Sequence, residues 1–166
     1  MIASVGLVIR RARASDAASV ARIYVDSWND GFGDLMPRRE LRDEDVDRWA
    51  QELLDPGVCW RVAGDGQALL GFAGTGASRD PLRAGLGELD TIAVAPAWWR
   101  RGVGGALMRR ALGDLGRAGF HEAVLWTLAD YPRGHGFYVH TGWVLADLSR
   151  DDGRQVAFWH DGPLGP

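Results

Sequence analysis

The sequence predicts an α/β chain of seven strands and four helices, and three stretches carry that prediction. Val103, Leu107, Ala111 and Leu115 recur every four residues, Met108 and Leu112 widen the stripe, and Arg109, Arg110, Asp114 and Arg117 sit on the other side. This is the pattern of a surface helix that buries one face. Just before it, residues 87–94 (GELDTIAV) form an apolar run ended by Pro96, which cannot donate to a sheet ladder, so the run reads as a largely buried strand. Residues 58–63 and 68–76 flank the turn Gly64-Asp65-Gly66-Gln67 and read as a hairpin.

The remaining elements follow in order. Residues 7–11 (LVIRR) are a first strand. Ser15 and Asp16 supply N-cap chemistry for a helix carrying Ala17, Val20, Ala21, Ile23, Tyr24 and Trp28. The glycine-rich stretch 29–37 is expected to end that helix in a loop holding Phe32, Leu35 and Met36, side chains that either line a pocket or tuck onto the core. Residues 38–54 form a second helix with Leu41, Val46, Trp49, Leu53 and Leu54 inward. Its acidic residues either attract a cationic substrate or, interleaved with Arg38, Arg39, Arg42 and Arg48, make a solvated face. Residues 123–128 are another strand, Pro132 stands near the start of a short helix, and 143–148 and 155–159 close the chain as two strands around RDDGR. The tail 161–166 is expected to be loose. With no repeat and no linker, residues 1–166 read as a single domain.

Composition excludes several chemistries. All 19 basic residues are arginines, so a P-loop lysine, a Schiff-base lysine and a lysine base are ruled out. The lone Cys59 leaves no internal disulfide and no Cys-rich zinc site, and His121, His135, His140 and His160 match no zinc spacing, so no metal is expected. A net charge of −3 without a basic face argues against nucleic acid. No apolar run is long enough to span a membrane, and the N-terminus lacks the basic region of a signal peptide, so the expectation is a cytoplasmic protein.

The strand-to-helix loop carries the chemistry. Gly102, Gly104 and Gly105 allow close approach to the backbone, the first N–H groups of the following helix lack intrahelical partners, and Arg100 and Arg101 stand beside them. Together they suit a phosphate or pyrophosphate, the alternative being that the glycines only permit tight helix packing. A dinucleotide-binding reading fails because the third glycine and the preceding βαβ context are missing.

The element order, VAPAWWRRGVGGALM and the later YPRGHGFYVHTGW together resemble the GCN5-related N-acetyltransferase (GNAT) superfamily over residues 7–159. In that family the loop reads Gln/Arg-x-x-Gly-x-Gly/Ala. Here Trp99, Arg100, Arg101, Gly102, Val103 and Gly104 occupy the six positions, with Trp99 departing from the pattern. The resemblance implies a mixed, mostly antiparallel seven-stranded sheet with helices on both faces. It also implies acetyl-CoA as cosubstrate, its pyrophosphate on the amides from Arg100 to Gly105 and its thioester bordered by Ile92, Ala93 and Val94. Tyr131 takes a cofactor-side position where an Asn is common. Dimerisation, common in such domains, is a further expectation.

The resemblance gives residue roles as well. Glu88, at a position where the family often carries a catalytic Glu, is the candidate base, and Asp90 shares its face by the period of two; the alternative is an ordinary strand-end carboxylate. Tyr138 is the candidate acid for the leaving thiolate, the alternative being a Phe-Tyr pair that only packs on the sheet. His135 either lines the cofactor mouth or is a surface histidine. Trp28 and Phe32 face the acceptor, a primary amine of a small molecule or peptide. The competing function is a catalytically silent acyl-CoA-binding module.

Overall fold

The computed structural model describes residues 6–80 and 83–165. Among them, seven strands form a sheet ordered β1-β2-β3-β4-β5-β7-β6: β1 (Val8–Arg11), β2 (Val58–Gly64), β3 (Leu69–Ala77), β4 (Gly87–Val94), β5 (Ala123–Leu128), β6 (Val144–Arg150) and β7 (Gln155–His160). The β4–β5 pair is parallel and the others are antiparallel. Four α-helices are α1 (Ala17–Phe32), α2 (Asp43–Glu52), α3 (Val103–Arg117) and α4 (Pro132–His140). Helix α3 and the Phe137-Tyr138 pair of α4 pack with one face of the sheet, while α1 and α2 cover the other through Val20, Trp49, Trp60 and Phe72.

Two helix boundaries differ from expectation. α1 runs on to Phe32 because Tyr24, Trp28 and Phe32 continue its stripe at i+4, and it stops at Gly33, whose φ of 52° leaves the helical region. α2 begins only at Asp43, where the Asp45 carboxylate accepts the backbone N–H of Arg42 at 3.1 Å. The residues between are drawn back onto α1 instead: Asn29 accepts the Arg39 N–H at 2.8 Å and donates to the Arg39 carbonyl at 2.9 Å.

The decisive irregularity lies in β4. Thr91 pairs with Gly74, but Leu89 already pairs with Thr75, so Asp90 is an extra residue. Leu89, Ile92 and Val94 therefore all join the α3-side core, although an unbroken strand would send Leu89 and Ile92 to opposite faces. On its other edge, β4 pairs with β5 only at Gly87↔Ala123 and Glu88↔Val124, after which the two parallel strands separate.

Two expectations about burial are corrected. Leu164, in the stretch expected to be loose, is buried in the α3-side core. Asp114, assigned to the solvent side of α3, is also buried. It lies seven residues after Leu107 and three after Ala111, which puts it at the edge of the apolar stripe. Arg61 of β2 grips it bidentately at 2.7 and 2.9 Å, and Arg117 donates to it at 2.7 Å. Burial alone would raise its pKa, but these arginines outweigh that and hold the carboxyl below its ordinary range.

Asp114→Ala leaves Arg61 without its buried partner and is expected to lower stability by about 3 kcal/mol in urea denaturation with an unchanged m-value. His160, packed edge-on against Trp143 at 5.3 Å, has its pKa lowered by burial. The unfolded chain therefore binds the extra proton first, and stability falls as pH drops below about 6.5. His160→Gln is expected to flatten that part of the thermal stability curve.

Candidate active site

The separation of β4 from β5 opens a cleft of about 1180 Å³ walled by residues 89–94 on one side and 125–128 on the other. Its two ends are chemically different.

At one end, the chain leaves β4 through Pro96 and turns in a loop where Arg100 and Gly102 have φ of 62° and 87°. Glycine at 102 carries the left-handed conformation without strain and lets α3 start at once with no side-chain cap. The N–H groups of Val103, Gly104 and Gly105 thus have no intrahelical partner, and Gly102, Gly104 and Gly105 line the cleft. The Val103 side chain itself is buried in the core. Arg100 lines the cleft, whereas Arg101 lies 5.2 Å from the Trp98 ring and does not.

Trp99 has a structural use that the departure from the family pattern did not suggest. Its indole donates to the Val94 carbonyl at 2.7 Å, closing the loop between β4 and α3, and Arg133 of α4 stacks over its ring at 4.2 Å. The stack brings a second cleft-lining guanidinium to the anion-binding end. Unpaired helix amides, two guanidiniums and a long slot with free strand edge fit a polyanionic, extended ligand such as acetyl-CoA.

At the other end, aromatic rings close the cleft. Tyr24, Trp28 and Phe32 stack along α1 with centroids 5.9 and 4.7 Å apart, and Phe32 meets Tyr131 edge-on at 4.9 Å. Trp28 and Phe32 do line the cleft, as does Met36, while Leu35 is exposed. Tyr131 lines it too, but its ring contact ties the start of α4 to the end of α1.

Tyr138 is half-buried between Phe137 and Phe158 and lines the cleft together with Thr127 of β5. Burial pushes its hydroxyl far above the ordinary tyrosine range, Tyr131 adds to the rise, and Thr127 offsets part of it. The phenol therefore stays protonated throughout the physiological range.

Glu88 lies outside the cleft. It sits where β4 still pairs with β5, and its carboxylate accepts the Arg79 N–H at 3.2 Å. Asp90, one bulge residue further on, lines the cleft, accepts the Thr91 hydroxyl at 3.1 Å and lies 3.8 Å from the Arg79 guanidinium. His135 faces away, its ring nitrogen 2.8 Å from the Leu128 carbonyl. Among the described residues, no cluster of three or more His, Cys, Asp or Glu could hold a metal, and no helix is long and apolar enough to cross a membrane. Sequence reasoning missed Arg133 and Thr127, whose roles come from contacts between distant elements. The aromatic row on α1 was signalled by its i+4 spacing.

Residues 7–143 match the Acetyltransferase (GNAT) family, and the chain belongs to it. The chain is similar to YuaI of Bacillus subtilis (strain 168), an uncharacterised N-acetyltransferase, with 29% identity over 131 residues, 76% of this chain and 74% of that one. Its fold is similar to that of the PaiA N-acetyltransferase from Thermoplasma acidophilum, solved with coenzyme A (TM-score 0.75, 17% identity, 95% of this chain and 99% of that one). It is also similar to that of YncA, a putative acetyltransferase from Salmonella typhimurium solved with acetyl-CoA (TM-score 0.74, 19% identity, 94% of each chain). The protein is thus an acetyl-CoA-dependent N-acetyltransferase of the GNAT fold.

Trp99→Phe keeps the ring and removes the bond to Val94. Loss of one hydrogen bond of about 1 kcal/mol is expected to weaken acetyl-CoA binding about fivefold, read by calorimetric titration.

Proposed function

We propose that this chain transfers the acetyl group of acetyl-CoA directly to the primary amine of a small-molecule or peptide acceptor in the cytoplasm, with residues 1–166 acting as one catalytic domain. The observation that carries this reading is the meeting of a carboxylate, Asp90, and a protonated phenol, Tyr138, in one cleft opened by the β4 bulge. Acetyl-CoA supplies the activated thioester carbonyl. The free edge of β4 at Ile92, Ala93 and Val94 offers backbone groups beside it, and an amide donor aimed at a developing oxyanion is worth about 3 kcal/mol.

An amine of pKa about 10.4 is almost wholly protonated at pH 7, and releasing the proton costs nearly 5 kcal/mol. Asp90 takes that part in place of Glu88, because it is the strand carboxylate that reaches the cleft. The ammonium first gives one proton to Asp90, which passes it to solvent, and the freed lone pair attacks the carbonyl to form the C–N bond. As the C–S bond breaks the departing sulfur takes a proton from Tyr138, and the second proton lost by the nitrogen returns through water to the Tyr138 oxygen. The raised pKa of Tyr138 makes it a reluctant donor. A thiolate in the same cleft has its own affinity for a proton raised by the same loss of solvent, which offsets part of that reluctance.

Release of free thiol from acetyl-CoA with a panel of small amines and short peptides tests the reading. Tyr138→Phe is expected to cut kcat about 100-fold while acetyl-CoA affinity holds. Asp90→Asn is expected to lose activity most at neutral pH and regain it as pH approaches that of the amine. No thiol release with any amine overturns the proposal.

A further inference from the structure

Beside the acceptor end of the cleft lies a second, smaller cavity of about 280 Å³, which shares Tyr24, Asp90 and Thr91 with it. We propose that this cavity is a carboxylate subsite centred on Arg39, so that the acceptor is a small amino acid whose carboxylate enters the cavity while its amine stays at Asp90. The proposal rests on the acetyl-transfer reading above and names its acceptor.

Arg39 is unlike its neighbours on the 36–42 segment. Arg38 and Arg42 are exposed, whereas Arg39 is half-buried and lines the cavity. Its backbone is clamped on both sides by Asn29, at 2.8 and 2.9 Å, and the Trp28 indole fixes the same segment by donating to the Pro37 carbonyl at 3.1 Å. Its guanidinium carbon lies 3.8 Å from the centre of the Trp28 ring and 5.4 Å from that of Tyr24. A stacked guanidinium keeps its edge of N–H donors free, the geometry that receives a carboxylate in bidentate fashion.

Trp49 and Trp60 also line the cavity and are more than nine-tenths buried, so its floor is a fixed aromatic wall beneath the Arg39 guanidinium.

The charges around the cavity fit a zwitterion better than a simple anion or cation. Arg39, Arg48 and Arg79 face Glu52 and Asp90, three positive charges against two negative, a net of +1. Arg48 is engaged with Asp45 at 3.0 Å and Arg79 approaches Asp90. The acidic residue shared with the main cleft is Asp90, so the ammonium end lies on the thioester side and the carboxylate end on the Arg39 side. The volume of about 280 Å³ admits a molecule of amino-acid size.

Calorimetric titration of the twenty amino acids into the CoA-saturated protein, each binder compared with its decarboxylated amine and its carboxamide, reads the subsite independently of turnover. The expected result is an amino acid bound at least tenfold more tightly than either analogue. Arg39→Gln is expected to collapse that ratio to near one, and Arg39→Lys, which keeps charge without the planar fork, to leave part of it; acetyl-CoA titration shows that both variants are folded. Equal binding of the decarboxylated amine, no binding of any amino acid, or tighter binding of inorganic phosphate overturns the subsite. Selective binding with no thiol release instead supports the subsite and sets aside the transfer reaction.

Discussion

The separation of two parallel strands is the constraint on which the rest of this structure depends. β4 and β5 share two paired positions and then part, leaving one edge of β4 without a sheet partner over the length of the cleft. Unpaired strand edges inside a fold are costly unless something else meets their amides. The extra residue at Asp90 bends β4 away and resets its alternation, so that the strand can leave β5 yet keep Leu89, Ile92 and Val94 in one core. One inserted residue thus creates the slot, exposes an edge to a ligand and delivers a carboxylate to it.

The cleft's two ends are held by different forces. At the anion end, Trp99 closes the loop by a hydrogen bond and stacks with Arg133, so positive charge is placed by aromatic surface and not by ion pairs. At the aromatic end, edge-to-face rings of Trp28 and Phe32 on α1 and of Tyr131, just before α4, bridge the opening. The same device recurs at Arg39 over Trp28. In a chain without lysine and with eight tryptophans, guanidinium-on-indole stacking is the recurrent means of fixing a charge near a site. Away from the site, Asp114 pins the C-terminal half of α3 to β2 through Arg61.

The elements of this fold were largely legible in the sequence. Hydrophobic periodicity fixed β4, β5 and the α3 stripe, and the Gly-rich loop announced an anion site, because both signals are local properties of the backbone. The family resemblance added the candidate acid Tyr138 and the mixed, mostly antiparallel character of the sheet. The placement of carboxylates was not legible in the same way. A period of two puts Glu88 and Asp90 on one face, but only the pairing of β4 with β3 and β5 shows that Glu88 lies in the closed part of the sheet and Asp90 in the open part.

Sequence alone therefore determined what each segment is and that the loop suits a phosphate or pyrophosphate, since helix period, strand alternation and unpaired helix amides depend on near neighbours along the chain. Tertiary structure decided which side chains share the cleft. The bulge, the burial of Asp114 and Leu164, the Arg133–Trp99 stack and the cavity around Arg39 all join residues far apart in sequence, and their energies arise only when those surfaces meet.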